Sequence, residues 1–207
     1  MVTFSAIVAD AGPLIHLARI NKLDLLHALF KEIYIPNAVK TETVDRGKNQ
    51  GYVDAIAIEK AISSGWVKVA QIKPNAENLA KEANISIGEA EAIILAKQME
   101  TTKLLIDDAR ARKIAQTLGL KPHGTIYVLK LALVKKIISK KEYRQSLQKA
   151  LNTGLYLTTE LYMQARDFLP QPEGWGFHHS ACFSPCHRVA GSLTLPEACG
   201  VRGSSHG

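Results

Sequence analysis

Five acids in this chain stand where carboxylates can do chemistry. Asp10 ends a short apolar run, FSAIVAD, residues 4–10. Asp107 and Asp108 close a second run, KLLIDD. Glu42 follows a third, EIYIP, and Glu89 falls in the first turn of a helix that opens after Ser86. In an open parallel sheet, ligands bind beyond the carboxyl ends of the strands, where the strand order reverses. Acids at those ends could share one crevice although they are far apart in sequence. Clustered carboxylates repel one another unless a cation neutralises them. Hard divalent cations such as Mg²⁺ take oxygen ligands, and a metal so held supports hydrolysis by activating water and stabilising a leaving oxygen.

Each acid also has a plain structural use. Asp10 can accept hydrogen bonds from the turn after its strand, and Asp108 can cap the helix after it. Glu42 can be a solvated helix residue, and Glu89 can favour the helix dipole. At about 100° per residue, Glu89 falls with Ala92, Ile93 and Ala96 on the apolar side, whereas Glu91 falls beside Gln98 on the wetter one. An inward carboxylate is costly unless it is paired or bound to a cation. Neighbours on a strand point to opposite faces, so only one of Asp107 and Asp108 need turn into the crevice.

The elements that must position these acids alternate. Short runs of β-branched and aliphatic residues predict buried strands at FSAIVAD, EIYIP, WVKVAQI (66–72), KLLID (103–107) and about residues 120–123. Between them lie helical patterns: one opening at Gly12-Pro13, VKTETVDRG ending at Gly47, residues 52–64 ending near Gly65, and Ile87 to Met99. A further helix carries Ala111, Ile114, Ala115 and Leu118 on one stripe, and another runs from Gly124-Thr125 to about Ile138. This alternation predicts an α/β sandwich around a mostly parallel sheet over residues 1–138. SKKEYRQSLQKAL and TTELYMQARDFL read as two amphipathic helices joined near Gly154, a hairpin over residues 139–169 packed on the body or projecting from it. From Pro170 to residue 207 the composition turns to Gly, Pro, Ser, His and Cys without period, which reads as a disordered or non-native tail.

Taken together, VADAGPLIHLARI, IYIPNAVKTET, GEAEAIILAKQM, LLIDDARARKIAQTLGL and HGTIYVLKLAL resemble a branch of the PIN-domain family similar to the toxin ribonucleases of type II toxin–antitoxin pairs. The resemblance covers residues 3 to about 168, in order. It implies a PIN-like three-layer sandwich with a C-terminal helical hairpin, a four-acid crevice binding Mg²⁺ or Mn²⁺, and hydrolysis of RNA phosphodiesters. By position it makes Asp10, Glu42, Glu89 and Asp108 the four acids, with Asp107 a rival or helper to Asp108. It also implies a homodimer and an antitoxin protein as partner. Two departures stand out. Ala11 replaces the Ser or Thr that many relatives place after the first Asp, and Asp107 replaces a Thr or Ser before the last acid. The competing expectation is therefore a PIN-like module with little or no catalysis that binds RNA or a protein.

Bulk properties suit a nucleic-acid partner or an ordinary solvated basic surface equally. The chain has 207 residues, a formal net charge of +7 and a sequence pI of about 9.3, and surplus Lys and Arg often serve polyanions. Lys40, Arg110 and Arg112 could position phosphates, although the Arg pair also suits a solvated helix face. Tyr127, Tyr143, Tyr156 and Tyr162 are scattered and form no stacking platform in the sequence. No apolar run reaches the roughly 18 residues of a membrane span, and the N-terminus lacks a secretory pattern, so a cytoplasmic protein is expected. The three cysteines, Cys182, Cys186 and Cys199, all follow Pro170, so the fold cannot depend on disulfides. With His178, His179 and His187 they could hold Zn²⁺, but no paired C-x-x-C spacing is present. A dehalogenase-type phosphatase would need a second Asp where Gly12 stands, and a phospho-receiver domain would need an early acid pair; both are set aside. His16 reads as packed or solvated rather than catalytic.

Overall fold

The computed structural model describes residues 6–73 and 75–168. The tail expectations, including the zinc ligands, lie outside the described residues. Five strands form one sheet in the order β3-β2-β1-β4-β5, and every neighbouring pair is parallel. In chain order the elements begin with β1 (Ile7–Ala9), α1 (Ala11–Arg19), α2 (Asp24–Leu29) and β2 (Ile33–Pro36). Then come α3 (Asn37–Lys40), a π-helical turn (Thr41–Arg46), α4 (Gly47–Asn49), α5 (Val53–Ser63) and β3 (Val67–Ala70). The second half holds α6 (Glu77–Ala83), α7 (Ile87–Gln98), β4 (Lys103–Leu105), α8 (Ala109–Thr117), β5 (Lys121–His123) and α9 (Thr125–Val134). The hairpin is α10 (Lys140–Asn152) and α11 (Thr159–Arg166).

The central strand is covered on both its faces. Ile7, Val8 and Ala9 are all fully buried. Their alternation divides the core in two. Ile7, Ala9, Ile33, Ile35 and Leu105 face a cluster built with α1, α2, α5, α9 and α10. Val8, Leu104 and Ile106 face a second cluster built with α7 and α8. The result is a three-layer α/β sandwich, with helices on each face of the sheet. The hairpin packs on the body: Tyr143, Ala150 and Leu155 belong to the first cluster, and the buried Tyr143 hydroxyl donates to the Ala165 carbonyl at 2.7 Å. Among the described residues no helix is long and apolar enough to cross a membrane.

Three details differ from the sequence expectation. The helix after β2 does not stop at Gly47; it continues through α4, and the chain reverses at Gly51, where φ is +74°. Gly47 is instead a packing residue, because a Cβ there would lie 2.8 Å from the Cβ of Ala55. Ala111 and Ala115 of α8 are buried, but Leu118, expected on the same stripe, follows the end of the helix and is 39% exposed. The helix expected to reach Ile138 ends at Val134, and Lys136 takes a left-handed φ of 58°.

Candidate metal centre

The strand order puts β1 at the middle of the sheet, with the chain moving out to β2 and β3 and then returning to β4 and β5. The switch point is therefore the gap between the carboxyl ends of β1 and β4. Asp10 follows β1 there, its backbone N–H donating to the Leu105 carbonyl at 2.8 Å. It N-caps α1, and its Oδ2 accepts from Gly12 N at 3.4 Å. Only 6% of Asp10 is exposed. Burial chiefly, with Glu89 and Glu42 adding like charge, pushes its carboxyl up to about 7, although the N–H groups of Ala11 and Gly12 oppose the rise.

Three glycines make room for the acids. A Cβ on Gly12 would stand 3.6 Å from Asp107 Oδ2 and 3.8 Å from Asp10 Oδ2, so these carboxylates flank one point. A Cβ on Gly88 would stand 3.4 Å from Glu42 Oε2 and 3.7 Å from Asp10 Oδ1. A Cβ on Gly124 would meet Asp107 Oδ1 at 2.6 Å, which no real contact tolerates. The glycines of DAG, GEA and HGT are thus close-approach residues, each opposite a carboxylate.

The structure separates the neighbouring acids after β4. Asp108 is exposed, and its Oδ1 accepts from Ala111 N at 2.8 Å as the N-cap of α8. Asp107 is half-buried and faces Gly12 and Gly124. Strand alternation is the cause: Leu104 and Ile106 face the α7/α8 side, so Asp107 falls with Leu105 toward α1 and α9. Asp107 serves the first turn of α9, accepting from Thr125 N at 2.7 Å and from the Thr125 hydroxyl at 2.6 Å. That helix has no cap from its own Gly124, so an acid from another strand supplies it.

Glu89 completes a capping box with Ser86: its Oε2 accepts from Ser86 N at 2.8 Å, and Ser86 Oγ accepts from Glu89 N at 3.2 Å. It is half-buried rather than turned into the core, and it bears electrostatically on both Asp10 and Glu42. Glu91 is not the wetter residue that helical geometry foretold. It too is half-buried, and its Oε2 accepts from Ala38 N at 2.9 Å, tying α7 to the start of α3. The Glu42 carboxyl is raised by burial and by Glu89, against a lowering by Arg46. So Asp10, Asp107, Glu42 and Glu89 surround one region, and Asp108 stands outside it. Helix N-termini α1, α7 and α9 point into that region and favour its negative charge.

The basic residues expected near the crevice are engaged elsewhere. Lys40 pairs with Asp45 at 3.9 Å, and Arg110 donates to the Asn84 carbonyl at 3.2 Å. Arg112 bears on His123, which burial and neighbouring cations pull down to about 4 and which stacks on Tyr127 at 3.8 Å. The arginine beside the acids is Arg46, four residues after Glu42 on the same π-helical turn. His16 sits close enough to feel Asp107. Burial nonetheless lowers its imidazole, and its buried Nδ1 has no hydrogen-bond partner among the described residues.

Does this donor set suit a divalent cation? All the donors are hard oxygens, and among the described residues none of the four carboxylates forms an ion pair. No three acidic, His or Cys side chains among the described residues converge to ligating distance as they stand. Mg²⁺ does not require such a cage, since it keeps several waters and takes only one or two carboxylates directly. Asp10 with Asp107, or Asp10 with Glu42, meets that lesser demand, so the residues fit.

A family described as "DUF3368: PIN domain" matches residues 6–169. No curated protein matches the chain. Among solved structures, the chain is similar to a PilT N-terminus domain protein, SSO1118, from the hyperthermophilic archaeon Sulfolobus solfataricus P2. Identity is 21% over 63% of this chain and 94% of that one, with a TM-score of 0.42. It is also similar to PAE2754 from Pyrobaculum aerophilum, at 19% identity over 62% and 90%, TM-score 0.43. A domain of a functionally unknown protein from Methanocaldococcus jannaschii DSM 2661 matches at 26% identity over 57% and 89%, TM-score 0.39.

Proposed function

The chain belongs to the PIN-domain family, and from that premise we propose that it is a divalent-metal-dependent endoribonuclease, the toxin of a toxin–antitoxin pair. PIN domains are in general metal-dependent nucleases, and the narrower reading is ours. One observation carries it: Asp10 is buried at the switch point among Asp107, Glu42 and Glu89, with no ion pair among the described residues to balance the charge. A site that only capped helices would not need three further acids around a carboxyl already pushed up to about 7.

In this reading Asp10 and Asp107, with Glu42 and Glu89 beside them, would hold a Mg²⁺ or Mn²⁺ ion. The ion, once bound, supplies the electrophile that makes phosphorus susceptible to water. The protein's own part is placement. Gly12 and Gly88 keep side chains out of the space between the carboxylates. Thr125 fixes both oxygens of Asp107 and so its orientation. Glu42, its carboxyl raised by burial and by Glu89 against a lowering by Arg46, is the acid to which this reading gives the proton of the attacking water.

A second reading is a module that binds RNA or a protein without turnover. Thr125 favours it, because both Asp107 oxygens are already engaged, as does Ala11, which brings no hydroxyl to the site. The deciding experiment incubates the protein with structured RNA in Mn²⁺ or in chelator, and repeats it with Asp10→Asn. Cleavage in Mn²⁺ alone, absent in the variant, is expected. RNA binding indifferent to metal and without cleavage would select the module instead.

A further inference from the structure

A groove of about 180 Å³ adjoins the acids and shares Glu42 with them. Ile15 gives it an apolar wall, and Arg19, Arg46, Gln50 and Tyr52 give it polar and aromatic ones. The two arginines differ. Arg19 is committed: it pairs with Asp54 at 3.4 Å, donates to the Thr153 carbonyl at 3.2 Å and lies 5.8 Å from the Tyr52 ring centroid. It therefore lies against the Tyr52 ring and offers no loose charge. Arg46 forms no ion pair among the described residues, and its electrostatic neighbour is Glu42 of the candidate metal centre. Tyr52 is 47% exposed.

The local backbone explains this placement. Thr43 is buried, and its hydroxyl donates to the Val39 carbonyl at 2.8 Å. With Thr43 and Val44 turned inward, the π-helical turn presents Glu42 and Arg46 on its outer side. Isolated π-turns are frequent at functional sites. Here one such turn carries both a candidate metal acid and a guanidinium without a fixed anion.

We infer that this groove receives one nucleotide of single-stranded RNA next to the bond that is cut, with a phosphate on Arg46 and the base on the ring of Tyr52. The inference rests on the ribonuclease reading and adds where the strand lies. A planar guanidinium suits phosphate oxygens. An aromatic ring takes the face of any base, provided the base is unpaired. The volume is below the roughly 300–1,000 Å³ of sites for drug-sized ligands, so it suits one ring and excludes a folded element. Nucleotide preference is therefore weak, and single strand is preferred over duplex.

The test measures anisotropy of a short fluorescein-labelled single-stranded RNA, alone and annealed to its complement. Titrations are made in chelator and again in Ca²⁺, for wild type, Tyr52→Ala, Tyr52→Phe, Arg46→Ala and the remote Lys141→Ala. The expected loss of single-strand affinity is about 5- to 150-fold for Tyr52→Ala. Tyr52→Phe and Lys141→Ala bind nearly as wild type. Arg46→Ala lowers the salt slope by about one. Mn²⁺ titration of the Tyr52 variants should match wild type, showing that fold and metal centre are intact, and an unchanged melting curve shows the same fold for Arg46→Ala, whose guanidinium bears on Glu42. Wild-type cleavage with unchanged binding in both alanine variants overturns the subsite and leaves the nuclease reading standing. So does tighter binding of duplex than of single strand. No binding in either buffer, with no cleavage in Mn²⁺, overturns both.

Discussion

Two polar clusters sit on the same sheet and handle negative charge in opposite ways. At the amino end of β2, Glu32 accepts from the Tyr34 hydroxyl at 2.7 Å and pairs with Lys68 of the adjacent strand. Those hydrogen bonds hold its carboxyl below the usual range. At the carboxyl end of β1, Asp10 is buried among acids, has no such cation, and is held far above that range. The chain can match a carboxylate with a lysine across neighbouring strands, and in one place it does. At the switch point it instead gathers acids around glycines and relies on helix N-termini and partial protonation. Such a cluster is unfavourable for the empty protein and favourable for one that binds a cation.

The widest separation between the two clusters comes from Asp10→Asn. Metal-dependent cleavage should fall by roughly a hundredfold or more, since even residues that only support metal ligands cost 10- to 100-fold. Melting without metal should hold or rise, because the amide removes the buried charge. A cleavage assay and a melting curve check both, and full activity in this variant would break the contrast.

The pH dependence of the empty protein is the next largest effect. The folded Asp10 pKa of about 7 lies above the ordinary aspartate value of 3.8. Folding therefore takes up a proton between those values, and the contribution of Asp10 to stability is intact below about 4 and declines as pH rises to 7. The loss is on the order of a few kcal/mol at 1.36 kcal/mol per unit. Glu32 has the opposite sign, since its contribution is present above its unfolded value and is lost as pH falls. Melting temperature against pH should show the Asp10 slope in wild type and not in Asp10→Asn. The gain in melting temperature from added Mn²⁺ should shrink below pH 7, where protons compete with the ion.

Smaller effects test the geometry. Gly124→Ala forces a Cβ against Asp107, and overpacking of this kind typically costs about 1–3 kcal/mol. Denaturant unfolding should show it together with reduced cleavage. Asp108→Ala removes a helix cap worth about 1 kcal/mol and should leave cleavage near wild type, whereas Asp107→Asn should lower it by roughly tenfold or more. Equal loss of cleavage in both would restore Asp108 to the site. The smallest effect is expected at the matched cluster: Lys68→Gln should leave cleavage and its metal dependence unchanged, because an exposed ion pair far from the crevice adds little.

Much of this was legible in the linear sequence. Period-two and helical periodicities record which residues are buried, so the alternation of strands and helices, the strand-end acids and the caps at Ser86 and Asp108 could all be read locally. The motifs DAG, GEA and HGT could be seen as well. What their glycines are for could not, because each stands against a carboxylate from a different segment. Sequence neighbours were equally ambiguous between Asp107 and Asp108, since strand alternation separates them only once the faces are known. Leu104 and Ile106 on the α7/α8 side decide that Asp107 enters the crevice. Likewise Glu91 looked solvated on its own helix, and only the packing of α3 gives it a backbone N–H to accept from. The acids, their spacing and the surplus of positive charge belong to the sequence. Which carboxylates meet, how far burial raises them, and which arginine stands beside them depend on distances between segments remote in the chain, and only the tertiary structure sets those.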